Sequence, residues 1–342
     1  MTGDASRRLT PVVRLAPAKL NLTLAIVGRR PDGYHALHSV MVPLALSDRL
    51  SLTPDPSAAD RDTIRIDGFD PGPAEDNLVL RAVDLTRRAV RGHLEAPPPG
   101  LAVRLDKRIP VAAGLAGGSS DAAAAIDGAL EAWGAAEALG SEERQGLAAA
   151  VGSDVPFFLA EGPALVEGRG ERVTPLHGLR LIAGEQAPGI LIVTPAVPAH
   201  TASVFAAWAS GAMGEPAVAR RTSEHFASEF GAGLSAKQLH ERAGVLASAN
   251  DLLPAAAAVV DGLVPFRRAL TRLLGRPIGL SGSGPTLWAL YSSVEDADFA
   301  ADSVRAAIAT GFVTAPGDDA PFVAATTMLP SRDTAHEERT NA

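Results

Sequence analysis

A two-domain protein of mixed strands and helices is the organisation this sequence predicts, and three observations carry it. Its 342 residues exceed the length over which a single core usually forms. Apolar runs of period two alternate with segments of helical period along the chain. Near residue 165 the pattern restarts, which divides the chain into 1–165, 166–330 and a polar tail, 331–342.

Composition narrows the class. With 46% hydrophobic and 20% charged residues the chain reads as globular, and 4% aromatic content implies cores built from aliphatic side chains. A formal net charge of −8 argues against a nucleic-acid-binding surface while leaving room for a local basic pocket. The absence of cysteine excludes disulfides, thiolate metal sites and cysteine nucleophiles. Met1–Thr10 is polar and lacks the apolar stretch of a signal peptide. No apolar run reaches the roughly 18 residues of a membrane helix. A cytoplasmic protein with no membrane partner is expected.

Taken in order, Leu20, Leu22, Leu24 and Ile26 alternate with Lys19, Asn21 and Thr23, predicting a half-buried strand. Its polar face is either solvated or projects an ammonium, an amide and a hydroxyl together toward a ligand. Arg29-Arg-Pro-Asp-Gly33 is a turn, followed by Tyr34 and His35, which form either a ring-stacking platform or the cover of a core edge. Val40–Leu46, Arg49–Thr53 and Thr63–Asp67 read as strands. Asp76-Asn77 caps a helix running to about Val90, with Leu78, Val79, Ala82, Leu85 and Ala89 on one stripe. Leu101–Leu105 is a strand leading into Asp106-Lys107-Arg108, a charge run that is either solvated or set for a polyanion.

Pro110-Val-Ala-Ala-Gly-Leu-Ala-Gly-Gly-Ser-Ser120 then joins this strand to an alanine-rich helix. Strand, small-residue loop and helix is an arrangement in which backbone N–H groups and a helix N-terminus can enclose phosphate. Alone, such a loop serves equally as a plain turn or a close-packing site. It is neither a Walker loop nor GxGxxG. Ser141 caps the next helix, which Gly152 ends. Asp154 follows, set before an apolar Val155-Pro-Phe-Phe158 strand, where it is either a cap or a functional carboxylate. Beyond 165, Ile190–Thr194 is a buried strand and Thr201 caps a helix through Trp208. Residues 209–235 are small and polar, with weak structure expected. Asn250-Asp251 and Pro265 open helices, and Gly279-Leu-Ser-Gly-Ser-Gly-Pro285 is a second small-residue loop before the strand Thr286–Tyr291.

Pro17-Ala-Lys-Leu-Asn21, the 110–120 loop and the 279–285 loop together resemble the three motifs of the GHMP small-molecule kinases. Asp32-Gly-Tyr-His35, Asp106-Lys-Arg108, Gly152-Ser-Asp-Val-Pro156 and Asn250-Asp-Leu252 are similar to the branch that phosphorylates the 2-hydroxyl of a cytidine-diphosphate-linked methylerythritol in non-mevalonate isoprenoid biosynthesis. The resemblance runs from about residue 12 to about 328. It implies an α+β fold with an N-terminal domain like the second domain of ribosomal protein S5 and a ferredoxin-like C-terminal domain.

By the same resemblance, Lys19 and Asp154 are the catalytic pair, with Asp154 as base. Pro110, Val111, Ala112, Ala113, Gly114, Leu115, Ala116, Gly117, Gly118, Ser119 and Ser120 hold ATP, with Ser119 or Ser120 near Mg2+. Tyr34 and Phe205 stack on cytosine and His35 reads its edge, while Asn21, Lys107 and Thr201 surround the rest of the substrate. The loop carries fewer glycines than that branch. The expectation is that alanine took only helix-compatible positions and that glycine stayed at 114, 117 and 118, where left-handed backbone is required. Two other classes compete: a homoserine- or mevalonate-type kinase, and a non-catalytic ATP-binding regulatory module.

Overall fold

Strand β1 (Val12–Asn21) and strand β2 (Ala25–Arg29) stand where one strand was expected from Leu20 to Ile26. The break falls at Leu24, whose N–H donates to Ala249 O and whose carbonyl accepts from Asp251 N–H. The structure, a computed structural model, describes residues 11–160, 162–181, 185–211 and 216–330. The expectations for Met1–Thr10 and for the 331–342 tail lie outside them. Among the described residues no helix is long and apolar enough to cross a membrane.

Strand β3 (His35–Asp55) fuses two expected strands into one. Ser47-Asp48 supplies no Gly or Pro to turn the chain, and the Asp48 carboxylate is taken up elsewhere. Strand β4 (Thr63–Gly68) is followed by helix α1 (Leu78–Val90), which begins as expected with Asn77 Oδ1 accepting from Val79 N–H at 2.9 Å. Strand β5 (Gly100–Lys107) leads to helices α2 (Gly117–Ala132), α3 (Ser141–Val151) and α4 (Val155–Phe158). The last corrects the strand expected at Val155–Phe158, because Pro156 suits a first helical turn.

Next come the hairpin of β6 (Ala164–Gly168) and β7 (Arg172–Pro175), then β8 (Gly189–Thr194), α5 (Thr201–Ala209) and α6 (Pro216–Ala232). Helix α6 corrects the weak structure expected over 209–235. Ala219, Ser223, Phe226, Ala227 and Phe230 are buried at helical spacing, and the Phe226 and Phe230 rings stack at 5.2 Å. The chain closes with α7 (Ala236–Glu241), α8 (Ala243–Leu246), α9 (Leu253–Val259), α10 (Leu263–Leu274), β9 (Gly279–Leu280), β10 (Leu287–Tyr291), α11 (Val294–Ala309) and β11 (Phe322–Thr327).

Contacts divide the chain into two units. The first holds the described residues up to Ala16, Ser47–Ile109 and Gly117–Leu159; the second holds Pro17–Leu46, Pro110–Ala116 and the described residues from Ala160 onward. The units are not contiguous in sequence: Pro17–Leu46 and Pro110–Ala116 group with the residues from Ala160 onward. In the first unit β4 pairs parallel with β5, and β5 pairs antiparallel with the C-terminal half of β3. Leu50, Leu52, Val103 and Leu105 pack with the alanine face of α2 (Ala122, Ala125, Ala129) into one core. Small side chains there let helices approach closely.

In the second unit the N-terminal half of β3 pairs with β2 and β6. A separate antiparallel sheet runs β11-β8-β10-β9, the order 4-1-3-2 of a ferredoxin-like domain, as expected. Helix α11 packs on it through Ala297, Ala301 and Val304. Gly189, at the start of β8, makes this approach possible, because a Cβ there would stand 1.8 Å from Ser293 O. Gly189→Ala should therefore destabilise the protein by about 3 kcal/mol or more, backbone having no rotamer to give. A denaturation midpoint equal to wild type would show that α11 can shift.

Candidate active site

Lys19 lies near the end of β1 with its ammonium buried, which corrects the half-buried strand of the sequence expectation: Lys19, Asn21 and Thr23 are all buried along with the leucines. Burying an ammonium requires acceptors around it. Lys19 Nζ donates to Asn21 Oδ1 at 2.6 Å and to Gly114 O at 2.7 Å. Asn21 is itself fixed, its Nδ2 donating to Ser39 Oγ at 2.8 Å, and Ser39 Oγ donating to Thr23 O. Ser281 Oγ donates to the same Gly114 carbonyl at 3.0 Å. A Cβ on Gly282 would stand 3.0 Å from Lys19 Nζ, so glycine there keeps the space around the ammonium. The three sequence motifs thus meet at one carbonyl.

The loop from Pro110 runs directly into α2, and its backbone corrects the expectation about its alanines. Ala112 and Ala116 have φ of 51° and 53°, in the left-handed region. Each carries about 1–2 kcal/mol of strain relative to glycine. Of the three glycines, only Gly114 is left-handed, and a Cβ on it would also stand 2.2 Å from Ser281 O. Gly117 is required for space instead, since its Cβ would meet Lys107 Nζ at 2.8 Å. Gly118 and Ser119 stand at the surface of the first turn of α2, and a Cβ on Gly118 would meet little. Ser120 Oγ is buried with no hydrogen-bond partner, an orphan hydroxyl at a helix N-terminus that suits an incoming phosphate or its cation.

Lys107, expected around the substrate, is buried. Its ammonium is buried between two carboxylates, bonding Asp48 Oδ2 and, at 2.8 Å, Asp121 Oδ2. Asp48 Oδ1 accepts from Arg108 and Ile109 N–H, the latter at 2.8 Å. Lys107 therefore ties the entry to the loop, through Asp48, to the first turn of α2, through Asp121. One ammonium cannot neutralise two buried carboxylates. Burial pushes the Asp121 carboxyl up to about 7, with Asp48 adding to the rise and Lys107 opposing it. Asp121 Oδ1 has no partner.

Asp154 is half-buried at the N-cap of α4, yet its carboxylate makes no capping hydrogen bond to that helix. Among the described residues no group of three or more His, Asp or Glu side chains is placed to hold a metal ion.

His35 and Phe205, expected to act on one ring, do lie together: their rings stack at 5.4 Å and 16°, with Trp208 edge-on to His35 at 5.0 Å. Burial first, and then the Arg29 charge, hold His35 below its usual value, so its ring is neutral near pH 7. Tyr34 is 54% exposed under the Arg169 guanidinium. Asp32 Oδ1 accepts from Tyr34 N–H, the local turn that presents it. Thr201 Oγ1 and Ser283 Oγ are 3.2 Å apart, so α5 and the 279–285 loop meet here. Asp48, Asp121, Ser39 and Trp208 were not anticipated. Spacing could have flagged only Asp121, directly after the two serines.

The sequence profile described as GHMP kinases N terminal domain matches residues 77–162. A protein of Symbiobacterium thermophilum named 4-diphosphocytidyl-2-C-methyl-D-erythritol kinase is 45% identical over 55% of this chain and 61% of its own length. One of the same name from Pelotomaculum thermopropionicum is 36% identical over 84% of this chain and 91% of its own. A crystal structure of 4-(cytidine 5'-diphospho)-2C-methyl-D-erythritol kinase superposes with a TM-score of 0.64 at 30% identity, covering 92% of this chain and 99% of that one.

The raised carboxyl of Asp121 has a consequence for stability. Below its ordinary value of 3.8 the folded and unfolded chains are both protonated. As pH rises, the unfolded chain loses the proton first, so this contribution falls until about pH 7. Asp121→Asn removes the slope. Its Tm relative to wild type should rise between about pH 4 and about pH 7 and level off above that. A difference that stays constant with pH would rule out Asp121 as the titrating group.

Proposed function

Because the chain belongs to the 4-diphosphocytidyl-2-C-methyl-D-erythritol kinase family, within the GHMP kinases, we propose that it transfers the γ-phosphate of ATP to the 2-hydroxyl of that cytidylyl sugar alcohol. It thereby serves the non-mevalonate route to isoprenoid precursors. The observation that carries this proposal at the level of residues is the Lys19 ammonium tied to the Gly114 carbonyl. The charge that would neutralise a transferring phosphoryl group is anchored on the loop that would hold the phosphates.

Phosphoryl transfer needs positioning and charge neutralisation more than a strong nucleophile. The backbone N–H groups of 110–120 and the N-terminus of α2 supply a cradle for phosphate. Ser119 or Ser120 would help hold Mg2+ with the phosphates, and the bound ion would supply charge neutralisation for the transfer. Lys19 stabilises charge developing on the transferred group, and Asn21 keeps the ammonium in place. Asp154 accepts the proton of the attacking hydroxyl, a modest task because the hydroxyl becomes acidic late in a loose transition state. Neutral His35 has one donor and one acceptor nitrogen for the edge of cytosine, and Tyr34 and Phe205 supply ring faces. Thr201 serves the diphosphate side. Lys107, its charge already shared by Asp48 and Asp121, acts by holding the first turn of α2.

Asp154→Asn should keep ATP affinity within about threefold and lower kcat by about a thousandfold. Calorimetric titration with a non-hydrolysable ATP analogue and steady-state assays with the cytidylyl substrate measure the two. Turnover near wild type would remove Asp154 from the mechanism. Phosphorylation of homoserine or mevalonate in place of the cytidylyl compound would assign the chain to another activity on the same fold.

A further inference from the structure

We propose that Asn250 is a positioning residue for phosphoryl transfer, a clamp that sets the 280–282 backbone and through it the carbonyl that orients Lys19. This rests on the assignment of Lys19 to the chemistry above.

The side chain of Asn250 is buried and every polar group on it is used. Nδ2 donates to Leu280 O at 2.9 Å and to Gly282 O at 3.0 Å, and Oδ1 accepts from Leu252 N–H at 2.9 Å. A carboxamide is the side chain that offers two donors and an acceptor in one plane, so the site is specific for it. The clamp has a firm base. Leu24 bridges Asn250, and Asp251 Oδ2 accepts from Ile26 N–H at 2.8 Å. Asn250 is thereby fastened just beyond the strand that carries Lys19 and Asn21.

What Asn250 holds is the backbone that packs against the ammonium. Between Leu280 and Gly282 lies Ser281, whose Oγ donates to Gly114 O and accepts from Asn21 N–H at 3.4 Å. Gly114 O is the acceptor of Lys19 Nζ. Gly282 takes a left-handed φ of 55° beside Lys19. Freed from Asn250, the 280–282 carbonyls would lose their donors, and Ser281 its fixed place on Gly114. The ammonium would then lose its orientation without losing any direct contact of its own.

Lysine is rare enough here to read this directly: the chain has only Lys19, Lys107 and Lys237. With ε-13C-labelled lysine, the Lys19 resonance and its titration should move in Asn250→Ala, while those of Lys107 and Lys237 stay. In the same variant kcat should fall about 10- to 100-fold with ATP affinity changed less than about threefold, the pattern of a misplaced group rather than lost binding. Asn250→Asp should fare no better despite its matched volume, because it presents an acceptor to two carbonyls. Val304→Ala, a core change in α11, controls for stability, with all variants assayed well below their Tm.

A Lys19 resonance that stays put in Asn250→Ala, or a kcat loss no larger than that of Val304→Ala, would overturn the proposal. If Lys19→Met itself turns over like wild type, the catalytic assignment fails instead. The resonance arm still decides whether the clamp exists.

Discussion

The carbonyl oxygen of Gly114 receives two hydrogen bonds, one from the Lys19 ammonium and one from the Ser281 hydroxyl. A carbonyl has two lone pairs, so both are spent. Segments nearly a hundred residues apart on one side, and farther on the other, are brought to a single atom. The demand on position 114 follows directly. It must be left-handed, and it must carry no Cβ, because Ser281 O already stands where one would go. Glycine alone meets both conditions. The same crowding explains Gly282, whose hydrogen leaves room for the ammonium.

Around this point the chain accepts strain and buried charge. Ala112 and Ala116 hold left-handed backbone that glycine would adopt at little cost, and left-handed backbone in non-glycine residues persists where the surroundings over-determine it. The hydrogen bonds from Lys19 N–H to the Leu115 carbonyl, at 3.0 Å, and from Ala199 N–H to the Ala112 carbonyl, at 3.3 Å, are two of the contacts that fix this loop from outside. In the first unit, Lys107 with Asp48 and Asp121 forms a buried cluster of one ammonium and two carboxyl groups. Such clusters are weak sources of stability, yet removing one member is costly because it leaves the others uncompensated. This one joins the end of β5 to the first turn of α2.

Much of the architecture was legible from the sequence. The Asn77 cap, the alanine-rich helix α2, the strands β8 and β10 and the two small-residue loops all stand where local pattern put them, because capping, periodicity and backbone conformation are short-range. Pattern failed where a strong local signal was overruled or a weak one was discounted. Val155–Phe158 looks like a strand by apolar content, yet Pro156 starts a helical turn. The α6 stripe was hidden by small residues, although Phe226 and Phe230 lie one helical turn apart. The fusion of β3 across Ser47-Asp48 depends on a partner sixty residues on, which no local window contains.

By itself the sequence determined the identity of the chemical groups: a lysine and an asparagine two apart on a strand, an aspartate ahead of a short apolar segment, two glycine-bearing loops and an aromatic pair. Their order along the chain was enough to place the family. Only the tertiary structure decided what each group is bonded to. It turned the polar face of β1 inward, gave the Lys107 ammonium to Asp48 and Asp121, set two alanines in left-handed backbone, and drew Asn250 into the support of Ser281 and Gly282. The reason is the range of the forces. Propensity and spacing act over a few residues, whereas the satisfaction of a buried ammonium, carbonyl or amide depends on whichever distant segment the fold delivers to it.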